Sequence, residues 1–312
     1  MALIITNRLQ KIVTAWIRLL IFIPVLLIGF EESLSCQSLQ KPQKCILVFG
    51  AHADDVDEIA GGTFAKYTSQ GYKGVYVSVT NNLAGCNIER TPYFNGPRFT
   101  VSSSKLKYPV DGLETNQIRS EEAKAAAAVY GATLVFLDFS EPEVYFGRKV
   151  IIYGTQDFLD YGAPGRRQIN LATRYSEDVN LVVDLLAKYE PEIVIIHPLG
   201  GDKLDHEGSA YMMYLAFKKA MDKGIPVGKL WMYVEGWLTD EPARLSGRGK
   251  PDIRIDVKDY LPTKYEALDK HISQNGGFGR QYVTDNETQA KEVVEEFITV
   301  IDNVKYPAKA KY

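Results

Sequence analysis

"VFGAHADDVDEIAGGT", Val48 to Thr63, is the stretch on which the reading of this chain turns. It closes an apolar run with His52, then two adjacent aspartates, Asp54 and Asp55, then a glycine pair, Gly61 and Gly62, where a helix is under way. The run itself, "CILVFG" (Cys45–Gly50), is β-rich and unbroken, as a strand buried on both faces requires. Unpaired charge at the end of such a strand is costly. Two arrangements remove that cost. The aspartates cap a helix N-terminus, where free N–H groups and the helix dipole favour negative charge. Alternatively, they and His52 hold a cation.

Outward from this stretch, strands and helices alternate. "QSLQKPQK" (37–44) reads as a polar linker before the first strand, and Ile59 to Gln70 reads as a helix stopped by Gly71. "GVYVSVT" (Gly74–Thr80) is a second strand, and "IRSEEAKAAAAVY" (Ile118–Tyr130) is a helix of good formers ended by Gly131. "TLVFLDF" (Thr133–Phe139) is a third strand. A helix from about Tyr175 to Tyr189 then leads into "PEIVIIHP", a fourth strand ending at His197. Glu207 to Lys223 is helical, "KLWMYVEGW" and "IRIDV" are further strands, and two helices are expected to close the chain. This alternation predicts one α/β domain, a mostly parallel sheet with helices on both faces. Asn81–Gln117 and Ser140–Arg174 carry little regular pattern, and loops of that length are often functional.

In an open parallel sheet, ligands bind beyond the carboxyl ends of the strands. "GAHADD", "TNN", "DFSE" and "HPLGGDKLDHEG" follow four successive strands, so polar residues gather on one rim, whereas "SQGYKG" on the opposite rim is a plain turn. Of the 4 histidines, His52, His197 and His206 fall on the polar rim; His271 does not. His52, Asp55 and His206 together offer two imidazoles and one carboxylate. A catalytic zinc (Zn2+) site takes three such ligands and keeps a fourth position for water. Asp54 would then stand beside the ion as general base toward a water whose pKa zinc lowers to about 7.

The bulk composition excludes little beyond nucleic acid. A net charge of −3 and a pI near 5.9 give no electrostatic case for such a partner. The N-terminus is more specific: Arg8, Lys11 and Arg18 precede "LLIFIPVLLIGF" (Leu19–Phe30), which is short for a membrane span of about 20 residues and suits the core of a secretory signal. Ser33 and Ser35 suit cleavage before Cys36. Alternatively, Cys36 carries a lipid, or Ile12–Phe30 stays as an anchor with Arg18 snorkelling. The expected organisation is therefore a signal or anchor over 1–35, a linker over 36–44 and one domain over 45–312, in an exported or membrane-attached protein. The 3 cysteines, Cys36, Cys45 and Cys86, match no zinc-finger spacing; after export, a Cys45–Cys86 bridge and free thiols are both open.

"AHADDVDEIAGGT" resembles "AHPDDVEIGAGGT", the signature of the PIG-L/LmbE-like zinc-dependent N-acetylglucosaminyl de-N-acetylases. The similarity continues through "VSVTN", "IRSEEAKAAAAVYGATLVFLDF", "PEIVIIHP…DH" and "KYEALDKHISQ", in family order from Cys45 to Gln274. The resemblance implies a Rossmann-like fold, zinc on His52, Asp55 and His206, and Asp54 as general base. It also implies that Arg119, in "IRSEEA", contacts substrate; from the residues alone, Arg119 is equally a surface arginine beside Glu121 or Glu122. Ala53 replaces the family proline, and "VDEIAGG" loses a glycine of the family pattern. The larger departure is "KLDH" where the family reads "HPDH". Lys203 stands in the place of a histidine that stabilises the oxyanion and protonates the leaving amine. A lysine ammonium donates to an oxyanion, but it works as an acid only if burial lowers its pKa. The other candidates for the acid are His271 and His197.

What the resemblance implies is a zinc amidohydrolase that removes acetyl from an N-acetylated amino sugar or glycoconjugate. The alternatives are an amidase on another sugar-linked amide, or a zinc-containing glycan-binding domain with weakened catalysis. Tyr93, Tyr145, Tyr153 and Tyr161, in the long loops, suit sugar stacking under any of these readings.

Overall fold

A computed structural model describes residues 43–83, 112–146, 149–161, 165–200, 203–234, 251–274 and 293–304. The expected leader (1–35), most of the linker, Cys36, Cys86, Tyr93 and the side chain of Tyr145 lie outside the described residues. Among the described residues, no helix is long and apolar enough to cross a membrane.

Strand β1 (Cys45–Gly50) is buried along its whole length because both its faces are covered. Cys45, Leu47 and Phe49 point into a cluster with Val182 and Leu186 of one helix and Met213 and Phe217 of another. Ile46 and Val48 point the other way, onto Val56, Phe64, Ala123 and Ala126. Alternation by side chain thus places every β1 residue in one of two cores, which is why its run is continuous rather than alternating.

Seven further strands join it. They are β2 (Lys73–Thr80), β3 (Thr133–Ser140), β6 (Arg166–Gln168), β7 (Ile193–Ile196), β8 (Lys229–Tyr233), β9 (Ile253–Asp256) and β10 (Val294–Asp302), in the order β6-β3-β2-β1-β7-β8-β10-β9. All neighbours pair parallel except β10, which runs antiparallel to both β8 and β9. The chain leaves β1 toward β2 and β3, then returns to β7 on the other side. The order reverses between β1 and β7, so the crevice at their carboxyl ends is the topological switch point of an open α/β sheet.

Helices α1 (Ala53–Ser69), α2 (Gly112–Val129) and α7 (Leu261–Leu268) cover one face. The short α4 (Ile169–Ala172), α5 (Ser176–Tyr189) and α6 (Leu204–Asp222) cover the other. A β4–β5 hairpin (Glu143–Phe146, Lys149–Ile152) and the five-residue α3 (Gln156–Asp160) occupy the long loop after β3 and close over a small cluster of Leu83, Val144, Ile151, Phe158 and Tyr161. Tyr161 is buried there, so it is a packing residue and not a free stacking platform.

Two expectations need correction. The first helix begins at Ala53, six residues before Ile59, and is broken at Ala60 (φ −150°, ψ 16°). Its second half starts afresh, with the N–H groups of Gly62 and Thr63 donating to the Glu295 carboxylate at 3.0 and 2.7 Å. Of the two closing helices expected, α7 is present among the described residues, and the last described element after it is a strand, β10. "VEEFITVID" carries β-branched residues, and Glu295 and Phe297 are buried at a spacing of two, the period of a strand inserted between β8 and β9.

Candidate metal centre

The polypeptide turns sharply after β1. A Cβ at Gly50 would stand 2.7 Å from the His52 carbonyl oxygen and 3.1 Å from the Asp55 Cβ, so only glycine fits there. His52 is the N-cap of α1, which puts Asp54 and Asp55 in the first helical turn. Asp55 Oδ2 accepts the His52 N–H at 2.6 Å, the contact of a helix-capping carboxylate. The same oxygen lies 3.3 Å from His52 Nδ1, and Asp55 Oδ1 lies 3.5 Å from His206 Nε2. Helix capping and a ligand atom suited to a cation, alternatives in the sequence, are both offered by one residue.

His206 reaches this point from the first turn of α6, across the β1/β7 crevice. One ligand atom from each of His52, Asp55 and His206 falls within 4.8 Å of the others. The residues fit a zinc ion on two counts. Both ring nitrogens of His206 are buried without a hydrogen-bond partner, a costly state for a group with nothing to bind. Moreover, ligands about 2.0–2.2 Å from one tetrahedral ion stand roughly 3.3–3.5 Å apart, the spacing of Asp55 from both imidazoles.

The far nitrogen of His52 meets carboxylates. His52 Nε2 lies 3.2 Å from Asp205 Oδ2 and 3.3 Å from Glu141 Oε1. Glu141, at the end of β3, is fully buried, accepts the Thr80 hydroxyl at 3.1 Å through Oε1 and leaves Oε2 unpartnered. A ligating histidine commonly turns its second nitrogen to a carboxylate, which orients the ring. His197, at the end of β7, stacks on His206 with centroids 4.1 Å apart. Its Nε2 lies 3.1 Å from both the Ala51 N–H and Asp55 Oδ2, so its tautomer serves one of them at a time.

The charges are strongly coupled. Burial depresses the His52 imidazole, but Asp205 and Asp55 outweigh it and hold its pKa well above the usual value. Burial would raise Asp55, yet His206, His197 and His52 keep it well below the carboxylate range. Burial dominates at His206, whose pKa falls to about 3, so its ring is neutral, the form that binds metal.

The remaining sequence candidates separate. Arg119 is not a surface arginine: it is 2 % exposed and its Nη2 lies 2.5 Å from Asp54 Oδ1. Glu121 pairs with Lys124 instead, and Glu122 accepts the Ser273 N–H and hydroxyl, both at 2.6 Å. Lys203, the N-cap of α6, has an exposed side. Burial pulls its pKa down, but Asp55, Asp205, Glu58 and Asp54 raise it further, so it ends above the ordinary lysine value. The lowering that an acid role demands is not what these carboxylates produce.

His271 departs from its expected place. It is fully buried, its Nε2 is 2.8 Å from Asp57 Oδ2, and the Tyr76 hydroxyl is 3.3 Å away. Asp57, also fully buried, accepts the hydroxyls of Tyr76 and Tyr130 at 2.7 Å each, and Tyr76 makes a further short contact with the Ala53 carbonyl. His271 is fully enclosed, with Nε2 on Asp57 and Nδ1 buried without a hydrogen-bond partner.

The family described as "PIG-L: GlcNAc-PI de-N-acetylase" matches residues 47–217. Solved structures of similar fold include the 4-carboxy-2-hydroxymuconate hydratase GalB from Pseudomonas putida KT2440 (20 % identity, TM-score 0.54, covering 84 % of this chain and 98 % of that one). The conserved protein TT1542 from Thermus thermophilus is 16 % identical at a TM-score of 0.52, covering 85 % of this chain and 98 % of its own. N,N'-diacetylchitobiose deacetylase from Pyrococcus horikoshii is 19 % identical at 0.50, covering 86 % and 92 %. A hydratase and a deacetylase share this fold, so the fold does not choose the reaction.

Proposed function

The chain belongs to the PIG-L family, and on that premise we propose that it is a zinc-dependent hydrolase that removes the acetyl group from an N-acetylated amino sugar of the N-acetylglucosamine type. The observation that carries the reading is the convergence of His52, Asp55 and His206 beside a separate carboxylate, Asp54, which is not needed as a ligand. His52, Asp55 and His206 would hold the ion. When bound, zinc supplies Lewis-acid polarisation of the amide carbonyl and lowers the pKa of a water to about 7.

Asp54 takes the proton of the attacking water on the oxygen that Arg119 does not hold, and the same carboxyl returns it to the departing amine. Lys203 keeps its ammonium protonated among the neighbouring carboxylates, so it serves as a fixed donor to the oxyanion and not as a proton shuttle. The basic N-terminal stretch and its apolar run support an exported or membrane-attached protein acting on an extracytoplasmic sugar or glycoconjugate.

The test is acetate release from a panel of N-acetylhexosamines and their oligomers by zinc-loaded protein. Release from at least one sugar, lost in His206→Ala together with bound zinc, is the expected result. Lys203, in the place of a histidine, favours a second reading, a zinc-containing glycan binder with weakened catalysis. Saturable sugar binding without acetate release would establish that reading instead.

A further inference from the structure

The buried stripe of α2 is Gly112, Thr115, Arg119, Ala123, Ala126 and Ala127, a spacing of three or four that turns one face of the helix to the sheet. Arg119 is the one charged residue on it. A guanidinium on a core stripe is tolerated only with a partner, and its partner is Asp54, at 2.5 Å. Arg119 Nη1 reaches the Asn82 carbonyl at 3.4 Å, while Nε is buried and unpartnered. Asn82 is itself held in the left-handed region (φ 58°), where its side-chain oxygen accepts the Ala53 N–H at 2.9 Å. Both contacts of the guanidinium therefore act on the same place: one on the Asp54 carboxylate, the other on the residue that fixes the peptide just before it.

We propose that Arg119 is a positioning residue for Asp54, holding Oδ1 so that Oδ2 is the oxygen presented to the attacking water. The inference rests on the reading of Asp54 as general base. A free aspartate rotates about its last torsion, which is broad and two-fold. Pinning one oxygen removes that freedom and selects the working oxygen. Arg119 and Asp54 are buried together, 2 % and 5 % exposed, so loss of the guanidinium would leave the Asp54 carboxylate without its ion-pair partner. A misplaced catalytic group costs up to about 100-fold in rate.

A double-mutant cycle tests this on the zinc-loaded protein, with the best N-acetyl sugar of the panel as probe. Arg119→Gln should lower kcat about 10–100-fold with KM within about twofold, and Arg119→Lys should restore part of the loss. In the Asp54→Asn background, Arg119→Gln should change kcat by less than about twofold, because the group it positions is gone. Bound zinc should stay at the wild-type level in all four proteins. A second readout is independent of activity: in the zinc-free protein, Arg119→Gln should lower the melting temperature more with Asp54 present than in the Asp54→Asn background. Additive losses with a rise in KM would overturn the proposal in favour of direct substrate contact. Near wild-type turnover by Asp54→Asn would overturn the base reading itself, a distinct failure. Should Arg119→Gln not fold, Arg119→Lys decides: a kcat loss at unchanged KM supports the positioning role, and any other outcome overturns it.

Discussion

Asp55 and Asp57 stand two residues apart on α1, and each sits against histidine, yet the two clusters behave differently. Both oxygens of Asp57 are taken, by Tyr130 on one side and by Tyr76 and His271 on the other, and nothing in the cluster is exposed. Asp55 spends Oδ2 on the His52 N–H, while Oδ1 faces a His206 ring with both nitrogens unpartnered. Composition makes the two indistinguishable. Unfilled capacity separates them by degree: Asp57 has both oxygens taken and its His271 leaves only Nδ1 unpartnered, whereas Asp55 faces a His206 ring with neither nitrogen bonded, the arrangement that suits an ion.

The strongest way to break this contrast is to neutralise each carboxylate in turn. Asp55→Asn, His52→Ala and His206→Ala should each take bound zinc well below one per chain, measured by elemental analysis, and turnover with it. Asp57→Asn should keep zinc. If Asp57→Asn lost the metal as Asp55→Asn does, the two clusters would be one site. Asp54→Asn sharpens the comparison from the third side. It should retain zinc and fold while losing about 10²–10⁴-fold in turnover, because an amide accepts no proton.

Lys203 gives the next effect in size. Lys203→Ala should lower kcat about 10²–10³-fold, the scale for one oxyanion donor, with zinc unchanged. Lys203→His should keep or raise the rate. A Lys203→Ala enzyme of unaltered rate would return the donor role to another group of the rim, with His197 the nearest candidate by its stack on His206.

Much of this was legible in the sequence because it is local. β1, β2, β3 and β7 announce themselves as apolar runs, and His52, Asp54 and Asp55 follow one such run within five residues of its end. His206 was legible from its place after a second strand of the same rim. What escaped depends on distance through space. The Arg119–Asp54 pair spans 65 residues and the Asp57–His271 pair 214, so neither spacing carries a periodicity to read. Glu141 and Asp205 lay on the polar rim in the sequence, but only their approach to His52 Nε2 gives them a role. β10 was not read as a strand for a related reason: "VEEFITVID" carries apolar residues at helical as well as strand spacing, and its two antiparallel neighbours decide between them.

The smallest expected effect concerns the Asp57–His271 cluster and follows from its charge. Burial lowers the His271 pKa, but the hydrogen bond and charge of Asp57, with Asp54 behind it, raise it more, and Arg119 opposes only in part; the net shift is upward. The hydroxyls of Tyr76 and Tyr130 complete the cluster, and both are held well above the ordinary tyrosine value, by burial first and then by Asp57, so they stay neutral. A group whose folded pKa exceeds its unfolded value of about 6.5 stabilises the fold fully below that pH and loses the contribution as pH rises through the folded value. The pair should therefore matter most in mildly acidic solution. His271→Gln removes the titrating group and keeps a hydrogen-bonding side chain of similar reach. The gap in unfolding free energy between wild type and this variant should be widest below about pH 6.5 and should narrow as pH rises through the folded value, by about 1.4 kcal/mol for each unit of upward shift. A gap that widens with pH would mean that the imidazole is neutral in the fold, and Asp57 would then be held by its two tyrosines alone.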